Sequence, residues 1–295
     1  MAESLTSLTA TEAHREITRG ALSAEEYVTA CLDRIEALDG DVRAFAHLDR
    51  DHALALARDL DEWRGNGRPT GPLHGIPVAV KDFFVTKDYR TECGSPLFAG
   101  RRPRQDATVV ARLRAAGAVI IGKTVTTEFA YFHPGPTRNP HDLERTPGGS
   151  SSGSAAAVAA GMVPLALGSQ TAGPIIRPAS FCGVFGAKPT HGFVSRGGVL
   201  ELSRTLDHVG VYARTLEDVA LLLDLLTGYD PRDTDTMPVA KPNFRAVAAE
   251  PPPLPPKFAL VRTPVWDKAE PTTRAIFDEL ISSLGDDGGI AELPD

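Results

Sequence analysis

The sequence predicts an α/β fold, and three observations carry that prediction. Two short apolar runs next to Gly or Pro, Ile76-Pro-Val-Ala-Val80 and Ala118-Val-Ile-Ile121, read as buried strands. Between them Val109, Val110 and Leu113 fall on one face of a helix, so the order is strand, helix, strand, the pattern of a mostly parallel sheet. The composition agrees: 295 residues with 42% hydrophobic, 23% charged and 6% aromatic residues suit a soluble globular chain with a large core. They exclude disordered, collagen-like and coiled-coil classes.

The elements follow in order. The first third is helical. Ser23-Ala-Glu-Glu26 is a capping box, in which the Ser23 hydroxyl and the Glu26 carboxylate satisfy each other's backbone donors. Tyr27, Cys31 and Ile35 continue on one helical face, and Gly40 is the expected stop. A second helix is expected from about Asp51 to Trp63. The strand that begins at Ile76 ends at Lys81. Asp106 is the expected cap of the Val109 helix, and Gly117 its end. Thr215 and Asp218 are expected to cap a helix over Leu216 to Leu226 that stops at Gly228. Residues 229 to 256 are polar, hold five prolines in the last six positions, and read as an extended linker. Phe258-Ala-Leu-Val261 restarts a strand. The chain stops at Asp295 with no element to close a sheet, which points to a truncated C-terminus.

Charge and cysteine usage narrow the function classes. Lys plus Arg is 31 and Asp plus Glu is 38, a net charge of −7, and the basic residues form no face that nucleic acid would need. Cys31, Cys93 and Cys182 are odd in number and far apart, which fits neither a disulfide framework nor a zinc cluster. The first ten residues are polar and no apolar run approaches the roughly 20 residues that span a bilayer, so the expected address is the cytoplasm.

Residues 146 to 180 carry the chemistry. Thr146-Pro-Gly-Gly-Ser-Ser-Ser-Gly-Ser154 puts four serines and three glycines in nine positions, ahead of the small helix formers Ala155 to Ala160. Gly168-Ser-Gln-Thr-Ala-Gly-Pro174 is a second small-residue loop. Glycine lets a backbone approach a ligand closely, and serines before a helix present hydroxyls and free N–H groups at the positive end of a dipole. Three mechanisms compete. A phosphate loop needs a Lys after the glycines, and none follows. A nucleophile elbow matches at Gly149-Ser151-Gly153, with His191 or His208 as base, but needs a strand running into the serine, where residues 139 to 147 are polar and hold two prolines. In a serine and lysine hydrolase, Lys81 at its strand end meets the serines of the 150 loop.

With these motifs on the page, the sequence resembles the amidase signature family. The matching segments are Gly75-Ile-Pro-Val-Ala-Val-Lys-Asp82, Gly122-Lys-Thr with Thr127-Glu-Phe129, and residues 146 to 161. They continue in Arg177-Pro-Ala-Ser-Phe-Cys-Gly183, Lys188-Pro-Thr190 and Leu206-Asp-His-Val-Gly210. The resemblance implies a hydrolase of amide carbon–nitrogen bonds, one α/β/α domain around a mixed, largely parallel sheet, and a Ser-cis-Ser-Lys triad without a cofactor. Over residues 1–295 it implies N-terminal helices to 65, a signature core from 66 to 228, the linker to 256 and a partial C-terminal region from 257. The implied partner is a small or aryl amide, with no nucleic acid and no membrane; a homodimer is allowed.

Carried over residue by residue, Lys81 matches the family's lysine and Ser150 the serine whose peptide bond is cis. Thr171, Ala172 and Gly173 match the oxyanion hole, and Ser151 is placed at the substrate surface beside them. The nucleophile position is Pro174, where the family has serine. Proline has neither hydroxyl nor N–H. Loss of the nucleophile costs on the order of 10⁶ in rate, and of one oxyanion donor about 10²–10³. An active amidase, a catalytically dead relative that binds amides or a protein, and a member of an amidotransferase complex with partner chains are the competing functions. For Lys81 to act as a base, its pKa must fall from about 10.4 to near 7, a destabilisation of the ammonium by roughly 4–5 kcal/mol that burial can supply. Glu128 is a minor candidate for the substrate channel. His74, His191 and His208 read as loop or packing residues, and Cys182 as a core thiol.

Overall fold

Buried apolar runs from separate parts of the chain lie side by side, and this sets the architecture. The computed structural model describes residues 5–254, 258–261, 265–284 and 291–292. In chain order the elements are α1 (Ala10–Thr18), α2 (Ala24–Val42), β1 (Phe45–Leu48), α3 (Arg50–Gly65), β2 (Pro77–Lys81), α4 (Thr108–Ala115), β3 (Val119–Thr124), α5 (Ser152–Ala159), β4 (Leu165–Gln170), α6 (Ile176–Cys182), β5 (Phe185–Ala187), β6 (His208–Ala213), α7 (Leu216–Leu226) and α8 (Phe244–Ala249). Six of the strands form one mixed sheet in the order β1-β3-β2-β4-β6-β5. Its centre, β3-β2-β4, is parallel, and the flanking pairs are antiparallel. Every residue of β2, β3 and β4 is buried, as strands covered on both faces require. Helices α3, α4 and α5 pack on β3, α5 also on β2 and β4, and α7 on β5 and β6.

The chain divides into two compact units, residues 1–248 and 249–295. In the second, β7 (Ala259–Leu260) pairs in parallel with β8 (Ala291–Glu292). There α9 (Pro271–Leu284) brings Phe277 edge-on to Trp266, with ring centroids 5.4 Å apart. Among the described residues no helix is long and apolar enough to cross a membrane.

The caps show where local signals act. Ser23 and Glu26 form the expected box, and α2 runs past Gly40 to Val42 before Arg43 turns left-handed at φ 55°. A Cβ on Gly40 would meet nothing within 4 Å, and the helix runs on through it. Asp106 does not cap α4, whose N-cap is Ala107. Its carboxylate instead accepts from the Lys87 N–H at 2.9 Å and the Arg114 Nε at 3.1 Å, holding two segments together. Thr215 caps α7 as expected, but the Asp218 carboxylate reaches across the fold to the start of α1, accepting from Ala10 N–H at 2.8 Å and Thr11 N–H at 3.0 Å.

The linker expected over 229–256 is only partly that. Asp230, Asp233 and Thr236 are buried; Asp230 accepts from Ser195 Oγ at 2.6 Å, and Asp233 pairs with Arg196 at 2.9 Å. These aspartates turn a polar sequence into an ordered loop, and α8 follows it. The prolines at 255 and 256 and the end of the chain after residue 292 lie outside the described residues.

The small-residue run at 152–159 forms α5, nearly all of it buried against the centre of the sheet. Small side chains are what that approach demands: a Cβ on Gly153 would lie 2.2 Å from the Ala44 carbonyl oxygen and 2.5 Å from the Val125 nitrogen. The buried Ser154 hydroxyl is satisfied at 2.7 Å by both Leu167 O and Thr124 Oγ1. Gly153→Ala should therefore cost about 1–3 kcal/mol or more of stability through overpacking. The check is the urea midpoint; an unchanged midpoint would contradict this packing.

Candidate active site

Parallel neighbours deliver the central groups. Lys81 ends β2 and Ser169 is the penultimate residue of β4, two strands in parallel register with Val80 opposite Leu167. Their carboxyl ends open on one edge of the sheet, where open α/β sheets hold ligands. Ser150 arrives from the loop before α5. Lys81 Nζ lies 2.8 Å from Ser150 Oγ and 2.9 Å from Ser169 Oγ. The peptide bond between Gly149 and Ser150 is cis, and Gly148 sits at φ 76°, a conformation glycine allows. The carbonyl of Ser150 accepts from Thr127 N–H at 3.2 Å.

The electrostatics separate two lysines that the sequence treats alike. Both Lys81 and Lys123 are wholly buried. Lys123 donates to Asp82 Oδ1 at 2.9 Å, Thr91 Oγ1 at 2.8 Å, and the carbonyls of Phe84 at 2.9 Å and Arg90 at 3.2 Å. Burial pushes the Lys123 pKa down, and Asp82 opposes that. The hydrogen-bond partners of Lys81 are two neutral hydroxyls, with no carboxylate among them. Burial brings its pKa down to about 7, against small opposing pulls from Cys93 and Asp207. At neutral pH a large fraction of Lys81 is an amine with a free lone pair, the state a general base requires.

The second small-residue loop faces Ser150 across a cavity. A cavity of about 410 Å³, open to solvent, is lined by Ser150, Thr171, Ala172 and Pro174, with Tyr131, Phe132, Phe181 and Leu202 as apolar wall. The backbone N–H groups of Thr171, Ala172 and Gly173 make no hydrogen bond among the described residues. The loop is pinned from both ends: Tyr212 Oη donates to the Pro174 carbonyl at 2.9 Å, and Gln170 Oε1 accepts from Ile175 N–H at 2.9 Å and Ile176 N–H at 3.1 Å. None of these bonds uses an N–H or side chain of residue 174, so the loop holds its shape with proline there. Arg177 also lines the cavity. Its Nη2 lies 3.0 Å from where a Cβ on Gly173 would be, and its guanidinium has no partner among the described residues.

The structure thus brings together Lys81, Ser150, Pro174, Thr171 and Ala172. Gly173 is in the same loop under Arg177. Ser151, expected at the substrate surface, does not line the cavity. It is fully buried, and its Oγ bonds the Ser169 backbone, donating to O at 3.2 Å and accepting from N–H at 3.3 Å, which fastens the serine loop to β4. The reason is steric: Gly168 leaves room for it, since a Cβ there would lie 3.0 Å from Ser151 Oγ. Ser169, which the sequence reading did not single out, is a direct partner of Lys81; it lies one residue before the end of β4, beside the end of β2. Glu128 accepts from Ser95 Oγ at 2.7 Å and lines a different cavity. His74 is buried on Leu60 O at 3.0 Å, and the buried Cys182 thiol is pushed up to about 12. No strand enters the serine loop, which removes the nucleophile-elbow alternative.

Comparison with known proteins gives the family of the chain. Residues 26–293 match the family model described as Amidase. The chain is similar to a protein of Salinispora arenicola (strain CNS-205) named as one of the subunits of glutamyl-tRNA(Gln) amidotransferase, 45% identical over 289 residues, covering 95% of this chain and 59% of that relative. Among solved structures it is similar to the native peptide amidase of Stenotrophomonas maltophilia, with TM-score 0.85, 33% identity, and coverage of 97% of this chain and 62% of the other. It is also similar to a structure described as "An unexpected vestigial protein complex reveals the evolutionary origins of an s-triazine catabolic enzyme", with TM-score 0.87, 38% identity, and coverage of 98% and 64%. The chain spans less than two thirds of the length of each of these three.

The lysine gives a stability test. Its folded pKa, about 7, lies below the ordinary 10.5. Between these values the unfolded chain holds a proton that the folded chain lacks, so stability rises with pH across this window and the full penalty applies below it. The stability of the protein minus that of Lys81→Met should climb from pH 7 to pH 10 by up to about 1.4 kcal/mol per pH unit. Urea unfolding at several pH values measures it; a flat difference would mean that Lys81 stays protonated in the fold.

Proposed function

Because the chain belongs to the amidase signature family, we propose that its site is the acyl-transfer machinery of a carbon–nitrogen hydrolase, intact in frame but lacking the nucleophile. The observation that carries this reading is the buried Lys81 amine, whose hydrogen-bond partners are two hydroxyls, one of them Ser150 on the wall of the cavity that also holds Pro174. In this reading Lys81 draws a proton through Ser150 from a hydroxyl at position 174, and the same relay returns it to the departing amine. The free N–H groups of residues 171 to 173 receive the charge that develops on the carbonyl oxygen. With proline at 174 the attacking atom is missing, and the chain binds amides but hydrolyses them at no more than trace rates.

The cavity also bears on substrate class. An apolar wall of Tyr131, Phe132, Phe181 and Leu202 faces a guanidinium without a partner. That combination fits a small amide with an apolar or aromatic body and a carboxylate for Arg177. A second reading is supported by the name of the Salinispora relative: the chain would be the amide-hydrolysing component of an amidotransferase and would work with partner chains.

Two outcomes test the site. Pro174→Ser should raise hydrolysis of a panel of small amides from trace to a measurable rate, and adding Lys81→Ala should abolish it. Robust turnover by the unaltered protein that persists after Lys81→Ala would overturn the assignment. In the Pro174→Ser background, Arg177→Ala should raise KM for carboxylate-bearing amides about tenfold, as loss of one charge-assisted hydrogen bond does, and leave neutral amides unchanged. Equal effects on both classes would remove Arg177 from substrate selection.

A further inference from the structure

We propose that Ser150 is itself an acyl-accepting nucleophile in this protein, activated directly by Lys81, toward acyl donors whose leaving group departs without a proton. The inference rests on reading the site as acyl-transfer machinery and changes which oxygen attacks.

Three placements carry it. Ser150 Oγ is 2.8 Å from Lys81 Nζ, so no relay is needed between base and hydroxyl. Ser150 lines the cavity, as do Thr171 and Ala172, whose N–H groups make no other hydrogen bond among the described residues. A carbonyl group attacked by Ser150 would therefore lie in the space next to the loop able to receive its oxyanion. Third, Pro174 removes the hydroxyl that would otherwise compete for Ser150 and leaves the Ser150 side of the cavity without a rival. Ser169, the other partner of Lys81 at 2.9 Å, opens on a neighbouring cavity lined by Phe83, Gly197, Gly198 and His208, which shares Thr171 with the first but not Ala172 or Pro174. An amine has one lone pair, so Lys81 can accept from one hydroxyl while donating to the other. Accepting from Ser150 and donating to Ser169 uses both contacts.

The balance of atoms defines the donor class. The Ser150 O–H bond breaks and its proton moves to the Lys81 lone pair, while Ser150 Oγ bonds the carbonyl carbon and the carbonyl π electrons move to oxygen. Collapse of that adduct breaks the bond to the leaving group, which takes the electron pair, and Lys81 releases the proton to water. An amide cannot follow this course readily. Its nitrogen must be protonated to leave, and the group that would carry the proton from Lys81, Ser150, is now acylated. Aryl esters with acidic phenols, and fluorophosphonates that lose fluoride, need no such proton. Acylation by aryl esters, phosphonylation by fluorophosphonates, in which Ser150 Oγ bonds phosphorus as the P–F bond breaks and fluoride takes the electron pair, and trace turnover of amides are thus consequences of one arrangement.

The experiment treats the unaltered protein and its Pro174→Ser form with a fluorophosphonate and, separately, with p-nitrophenyl acetate. Intact mass and peptide mapping then locate the adduct. The expected result is a single adduct on Ser150 in the unaltered protein. It should be lost in Ser150→Ala, retained in Ser169→Ala, and formed about 10²-fold or more slowly in Lys81→Met, the scale of general-base assistance. Mapping on the unaltered protein does not depend on any variant folding. An adduct on Ser169, or none in the unaltered protein while Pro174→Ser is modified at position 174, overturns the Ser150 inference and leaves the acyl-transfer reading standing. No adduct on either protein overturns both.

Discussion

The site depends on the burial of one amine without a counter-charge. Placing Lys81 at the end of a central strand removes it from water, and its hydrogen-bond partners are two neutral hydroxyls. A buried ammonium there is costly, so the amine form is favoured at neutral pH. The neighbouring strand shows the alternative. Lys123 is as deeply buried, but a carboxylate, a hydroxyl and two carbonyls surround it, and it ties the segment after β2 to β3. The same residue type in adjacent strands thus meets only neutral hydroxyl partners in one place and a carboxylate in the other, where Asp82 opposes the effect of burial.

The serine-rich loop must come close to that amine, and this requirement explains a run of small residues that would otherwise read as a linker. Helix α5 can lie against three strands only because glycine, alanine and serine line it. Its serines are not interchangeable: Ser150 meets the lysine and the cavity, Ser151 fastens the loop to the backbone of β4, and Ser154 closes a buried bridge between β3 and β4. Each buried hydroxyl has a partner, as a buried polar group must.

Proline at position 174 is compatible with this frame because the loop is held by bonds around it. Tyr212 grips its carbonyl and Gln170 caps the two N–H groups that follow. These bonds use neither an N–H nor a side chain of residue 174, so they hold the loop with proline there. Lys81, Ser150 and the loop backbone are each held by different contacts, so none of them depends on the side chain at position 174.

By itself the sequence determined the strand and helix order, the box at Ser23 and Glu26, the buried run ending at Lys81, and the convergence of that residue with the serine loop, because these follow from local spacing and from long motifs. It also exposed the proline at 174, which is visible only as a residue type in a pattern. What it could not settle was which distant partner a polar side chain outside those motifs finds. Asp106 and Asp218 look like helix caps in sequence, yet Asp106 ties Lys87 to Arg114 and Asp218 reaches the start of α1, because a carboxylate bonds whichever donors the fold brings near. The polar stretch after Gly228 reads as linker, yet Asp230 and Asp233 find Ser195 and Arg196 and become buried. Ser151, expected at the substrate surface, is buried on the backbone of β4, while Ser169 meets Lys81, for the same reason. Which face a hydroxyl presents is decided by packing between β4 and the loop, and that packing exists only once strands 88 residues apart at Lys81 and Ser169 are side by side.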